Sequence, residues 1–111
     1  VSETDIKRDI LAMIAAEFPT VRVTRHQSGI VRAGRYRVHL GEPGWPDIIG
    51  YMPDGRFLGI ECKQPKAKKR RHEPGQHTRG LDITDCGGTY FIARSTDEAR
   101  DWLRQALEAT K

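Results

Sequence analysis

The stretch Gly44–Lys63, GWPDIIGYMPDGRFLGIECK, limits the fold more than any other part of the chain. Asp47–Met52 is apolar at Ile48, Ile49, Tyr51 and Met52, and Arg56–Lys63 is apolar at Phe57, Leu58 and Ile60. Pro53-Asp54-Gly55 lies between them. Proline presets φ and glycine accepts a positive φ, so this tripeptide is a turn. Two strands joined so tightly form an antiparallel hairpin, and the start of the first must lie beside the end of the second. Asp47 therefore lands next to Glu61 and Lys63. Strand side chains alternate faces, so Glu61 and Lys63 share one face and Cys62 takes the other. At about 3.3 Å per residue, the Cα atoms of Glu61 and Lys63 are roughly 6.6 Å apart, with room for a water or phosphate oxygen between them.

Two carboxylates held side by side repel each other and favour a hard divalent cation between them. Mg²⁺ is usually bound by one or two carboxylates, waters and substrate phosphate. The Cys62 carbonyl is a candidate further oxygen ligand, and Lys63 is a point charge beside an attacked phosphate.

Pro46-Asp47, then thirteen residues, then Glu61-Cys62-Lys63 resembles the PD-(D/E)XK nuclease signature. The longer string from Gly44-Trp45-Pro46-Asp47 through Phe57-Leu58-Gly59-Ile60-Glu61-Cys62-Lys63 to Gln76 is similar to one branch, the VRR-NUC domain. Glu3 near the start and the Ser28-Gly29 pair also suit that branch. The resemblance covers nearly the whole chain. It implies a restriction-endonuclease-like α/β core, a mixed central sheet flanked by helices, and hydrolysis of DNA phosphodiesters with Mg²⁺ or Mn²⁺. Asp47, Glu61 and the Cys62 carbonyl would hold the metal, Lys63 would serve the nucleophile, and Gln76 and Glu3 would support them. Short, stand-alone members, often phage-associated, resemble Holliday-junction resolvases. Two symmetric cuts in a junction require a homodimer, so the implied partner is branched DNA. The alternatives are a flap or nonspecific endonuclease, or a DNA-binding module that has lost catalysis. The complete Asp47, Glu61, Lys63 set argues against the last, and RNA is open as a substrate.

A chain of 111 residues is expected to form one domain over 1–111, with no room for a separate target-recognition domain. It has no run of eighteen apolar residues and no basic-then-apolar leader, so neither a membrane span nor a signal peptide is expected. Two cysteines, Cys62 and Cys86, do not make a disulfide framework, which points to a reducing, cytoplasmic setting; a bacterial or phage-encoded origin is what the resemblance implies. The net charge of +4 suits a polyanionic partner. Its clustering matters more: Lys66, Lys68, Lys69, Arg70 and Arg71 follow Lys63 directly. Such a run is either a solvated loop or, this close to the site, a phosphate contact.

The other elements follow from periodicity. Ser2 to Phe18 is a helix with Ser2 as N-cap and a stripe of Ile6, Ile10, Met13, Ile14 and Phe18, ended by Pro19. Within it, Glu3 reads as a first-turn acid complementing the helix dipole or, through the resemblance, as an outer ligand of metal or water. Val21–His26 and Tyr36–Leu40 alternate as strands, and Gln27-Ser28-Gly29 is a turn. Arg32, Arg35 and Arg37 read individually as a solvated face, with phosphate contact as the alternative. Gly41–Trp45 is a loop in which Trp45 packs and sets the approach to Asp47. A helix opens near Glu73-Pro74, places Gln76, Arg79 and Gly80 on one face, and buries Leu81 and Ile83. Thr89–Ala93 is a buried strand, and Ser95 N-caps a last helix with the stripe Ala99, Trp102, Leu103, Ala106 and Leu107. His26, His39, His72 and His77 have no metal spacing, and none is assigned to catalysis.

Overall fold

The computed structural model describes residues 2–26, 29–40, 44–65 and 76–109, with backbone alone at 29–31, 33, 38–40, 76 and 77. In chain order the elements are α1 (Glu3–Glu17), β1 (Arg22–Arg25), β2 (Gly29–Ala33), β3 (Tyr36–Leu40), β4 (Ile48–Tyr51), β5 (Phe57–Cys62), α2 (Gln76–Asp85), β6 (Thr89–Ala93) and α3 (Thr96–Glu108). The fold is mixed α/β. A four-stranded sheet runs β1-β4-β5-β6, and β2-β3 forms a separate two-stranded ribbon.

The hairpin expected from the sequence is the centre of the sheet. β4 and β5 pair antiparallel, with Tyr51 opposite Phe57 and Ile48 opposite Ile60. The turn closes as its residues require. Gly55 has φ +89°, and its amide donates to the Met52 carbonyl at 2.9 Å. The Asp54 carboxylate accepts from both the amide and the Nε of Arg56, at 3.1 and 2.8 Å. β5 then pairs parallel with β6, Leu58 with Thr89 through Cys62 with Ala93. A parallel pair needs a crossover, and α2 lies in it.

Alternation along β5 sorts the two faces. Leu58, Ile60 and Cys62 join Ile6, Ile10, Met13, Ile14, Phe91, Ala99 and Leu103 in the main core, so α1 and α3 cover that face. Gly59 and Glu61 point the other way, toward α2 and the Pro46 loop. A Cβ on Gly59 would lie 2.7 Å from Pro46 Cγ and 3.4 Å from Ile83 Cδ1. Only hydrogen fits there, and the absence of a side chain lets the Pro46 loop lie flat on the sheet. On the same face, a Cβ on Gly80 would lie 2.9 Å from the Tyr90 ring. Gly80 costs helix propensity, but it brings α2 close to β6.

The helix caps follow the sequence. Ser2 Oγ accepts from the Asp5 amide, and Asp5 returns the contact as a capping box. Ser95 Oγ accepts from the Glu98 amide at 3.1 Å. Trp102 lies half out of the α3 stripe and stacks on Phe91, with ring centres 5.6 Å apart.

Two expectations change. Leu81 is exposed rather than buried, while Ile83 alone of the pair is buried. Their spacing of two on a helix puts them nearly opposite, so one sheet face cannot take both. Gly29 opens a strand, Gly29–Ala33, rather than ending a turn. Cross-strand pairing with β3 supplies the backbone hydrogen bonds that its weak alternation does not advertise. β1 pairs with β4 rather than with the strand that follows it in sequence. The expected turn residues Gln27 and Ser28, the loop 41–43 and the helix start Glu73-Pro74 lie outside the described residues. No helix among the described residues is long and apolar enough to cross a membrane.

Candidate active site

The site lies where the β4-β5 ladder runs out. The last paired residues are Ile48 and Ile60, and one step further Asp47 stands opposite Glu61. Asp47 is held from both sides. Its carbonyl accepts from the His26 amide at 2.8 Å, extending the β1 pairing by one bond. Its Oδ2 accepts from the Cys62 amide, also at 2.8 Å. The carboxylate thus takes the place of the backbone carbonyl that β4 no longer provides to β5. This bond fixes where the carboxylate sits and leaves Oδ1 facing outward, where Lys7 Nζ approaches to 3.6 Å.

Glu61 is the deepest of the site residues, 1% exposed. A carboxylate so buried is costly unless positive charge or hydrogen bonds meet it. Lys63 is half-buried, two residues on and on the same face. Its amide donates to the Ala93 carbonyl at 3.1 Å, so the parallel ladder with β6 fixes its backbone. Cys62 lies between them with its side chain in the core, as expected.

Two titrating groups on opposite faces of the sheet register the same negative charge. The Cys62 thiol is pushed up to about 12, first by burial and then by Asp47, Glu61 and Glu3, against the opposing Lys7 ammonium. The Tyr90 hydroxyl is also pushed up to about 12, first by burial and then by Glu61 and Asp47. Carboxylates from the β4 approach, β5 and α1 therefore converge electrostatically on one corner of the sheet. Glu3 is exposed in the first turn of α1, and its field reaches Cys62. That is compatible with both readings of this residue.

The oxygens present suit a hard cation. Asp47 and Glu61 offer carboxylates and Cys62 a strand-end carbonyl, with Lys7 already bringing a positive charge to Asp47. Among the described residues no group of three or more His, Cys, Asp or Glu side chains could hold a metal ion. A metal here would be of the kind that keeps several waters, as Mg²⁺ does.

Lys7 is the site residue that the sequence reading missed. Its spacing of four from Glu3 puts both on one face of α1, the one available signal. Trp45 packs as expected: its ring meets Phe57 edge-on at 6.1 Å and His26 at 6.3 Å. Arg79 of α2 also lies over the ring, 4.2 Å from its centre. Trp45, Phe57, Arg79 and Ile83 line a cleft of about 380 Å³ between α2 and the hairpin. Gln76 opens the described part of α2, but its side chain lies outside what the structure describes, as do those of His39 and His77. The basic run Lys66, Lys68, Lys69, Arg70 and Arg71 also lies outside the described residues, as does His72.

Compared with protein-family models, curated proteins and solved structures, the chain gives no match. The functional reading therefore rests on the site's own chemistry and on the motif.

Proposed function

We propose that this chain is a divalent-metal-dependent endonuclease of the PD-(D/E)XK type, similar to VRR-NUC domains, with the sheet and helices as a restriction-endonuclease-like core. One observation carries the reading. The Asp47 carboxylate accepts from the Cys62 amide one step past the last hairpin pair, Ile48–Ile60, which puts it beside Glu61, with Lys63 two residues on along the same face. Asp47, Glu61 and the Cys62 carbonyl would hold Mg²⁺ or Mn²⁺. Such an ion, when bound, lowers the pKa of a coordinated water and offsets charge on the attacked phosphate.

The chain's own groups do the rest. The Cys62 amide and the Lys7 ammonium orient the Asp47 carboxylate before substrate arrives. Lys63 places a positive charge beside the phosphoryl oxygens as negative charge builds on them, and it orients the attacking water. The surrounding sheet limits how far these groups relax, so little reorganisation is left for the reaction itself. Gln76 and Glu3 are supporting residues in this scheme. The substrate we favour is branched DNA, cut by a homodimer in the manner of a junction resolvase. The net positive charge supports a polyanionic partner.

The test is cleavage of labelled four-way junction, flap, single-stranded and duplex DNA side by side, with Mg²⁺, Mn²⁺ or chelator. The expected result is metal-dependent cutting, fastest on the junction. No metal-dependent cutting of any of the four would refute the proposal, and equal rates on all four would remove the structure selectivity.

A further inference from the structure

The β2-β3 ribbon plays no part in the site described above. Among the described residues its two strands of five residues pair only with each other. An isolated two-stranded hairpin is marginally stable in water. This one also carries a local conflict. Arg32 stands directly opposite Arg37 in the register, so the two side chains share a face. Like charges placed so are destabilising, where an opposite pair would stabilise. Arg35 adds a third guanidinium in the turn, beside Gly34 at φ +63°. All three arginines are exposed, and Tyr36 next to the turn is 75% exposed. None of the three makes an ion pair among the described residues.

An element that spends stability on opposed cations at an exposed tip is shaped for an anionic partner. We infer that the ribbon inserts into the major groove of duplex DNA, with Arg32 and Arg37 neutralising phosphates at the groove edge and Arg35 and Tyr36 leading. The dimensions agree. Five residues at about 3.4 Å each make a ribbon about 17 Å long, with strands about 4.8 Å apart. The major groove of B-DNA is about 12 Å wide and 8.5 Å deep and admits a two-stranded ribbon, whereas the minor groove is about half as wide.

The inference takes its partner from the nuclease reading, so binding is measured without divalent metal, where cleavage plays no part. Labelled duplex DNA is titrated by fluorescence anisotropy at several KCl concentrations, with wild type and with Arg32→Ala/Arg37→Ala. Each lost phosphate contact lowers the log–log salt slope by about 0.9, so the double variant should lose about 1.8. Methyl green, which occupies the major groove, should compete with wild type, and netropsin in the minor groove should not. The free double variant should melt at or above the wild-type temperature, because the opposed charges are gone. Arg32→Glu turns the pair into an opposite one and should raise the melting temperature while weakening DNA binding at least tenfold. A wild-type salt slope in the folded double variant, or competition by netropsin alone, would overturn the ribbon assignment and leave the nuclease reading standing. No duplex binding by wild type at any salt would likewise overturn the ribbon assignment, while the nuclease reading is decided separately by cleavage of the four substrates.

Discussion

Asp47 holds the Cys62 amide and, in the proposed mechanism, would also hold a metal ion, and two substitutions at this position separate the two roles. Its Oδ2 accepts from the amide of Cys62, a residue almost fully buried, and its outward Oδ1 meets Lys7 at 3.6 Å. Asp47→Asn keeps a side-chain oxygen for the Cys62 amide but removes the charge. Exchanging a charge-assisted bond for a neutral one costs about 1 kcal/mol. The Lys7 pair is partly exposed and adds between about 0 and 1 kcal/mol. Asp47→Ala removes the acceptor as well and orphans a buried donor, at about 1–3 kcal/mol beyond the ion pair. With an unfolding entropy of about 2.1 cal/mol/K per residue, a chain of this length shifts its Tm by about 4 °C per kcal/mol. Asn should therefore lower Tm by about 4–8 °C and Ala by about 4–16 °C, with Ala the lower of the two. Calorimetric titration with Mn²⁺ should show divalent binding lost in both. Differential scanning calorimetry supplies the Tm values. Wild-type metal binding in Asp47→Asn would remove Asp47 from the metal site. Equal Tm values for Asn and Ala would refute the account of the Cys62 amide.

Other outcomes follow from the same geometry. Lys63→Met keeps most of the apolar stem and removes the ammonium; single-turnover cleavage should fall by about 10²–10³, with junction binding and fold retained, and a rate within a few-fold of wild type would sink the nuclease mechanism. Gly59→Ala drives a methyl group to 2.7 Å from Pro46 Cγ; overpacking of this kind costs about 1–3 kcal/mol, and it should also weaken Mn²⁺ binding because Pro46 carries Asp47, so unchanged stability would show that the loop yields freely. The Arg100 guanidinium bonds both oxygens of Glu17 at 2.8 Å and holds its carboxyl below the usual range, tying α1 to α3. A lowered carboxyl pKa stabilises the fold above the ordinary carboxylate range, and that contribution fades as pH falls through the lowered value. The Tm gap between wild type and Glu17→Gln should thus be largest near neutral pH and close on acidification, and a gap that persists in strong acid would refute this account.

Much of the site was legible because a hairpin is a local object. Turn chemistry at Pro53-Asp54-Gly55 and period-two alternation bring residues fifteen apart in sequence into contact, as the Asp47–Cys62 bond shows, with no information from elsewhere. The same holds for α1, β6 and α3, whose caps and stripes are written within single segments. Long-range pairing was not legible. Nothing within Arg22–Arg25 says that it joins β4 at the sheet edge, nor does the Gly29–Ala33 segment announce that it leaves the sheet as a ribbon. Those choices depend on which edges remain open once the hairpin, β6 and the helices have packed. Lys7 illustrates the limit. On α1 it is one charged residue among several, and only the docking of that helix across the sheet sets its ammonium against Asp47. Periodicity and turn chemistry act within a segment and can be read from it, whereas contacts between distant segments are decided by the shared core that brings them together.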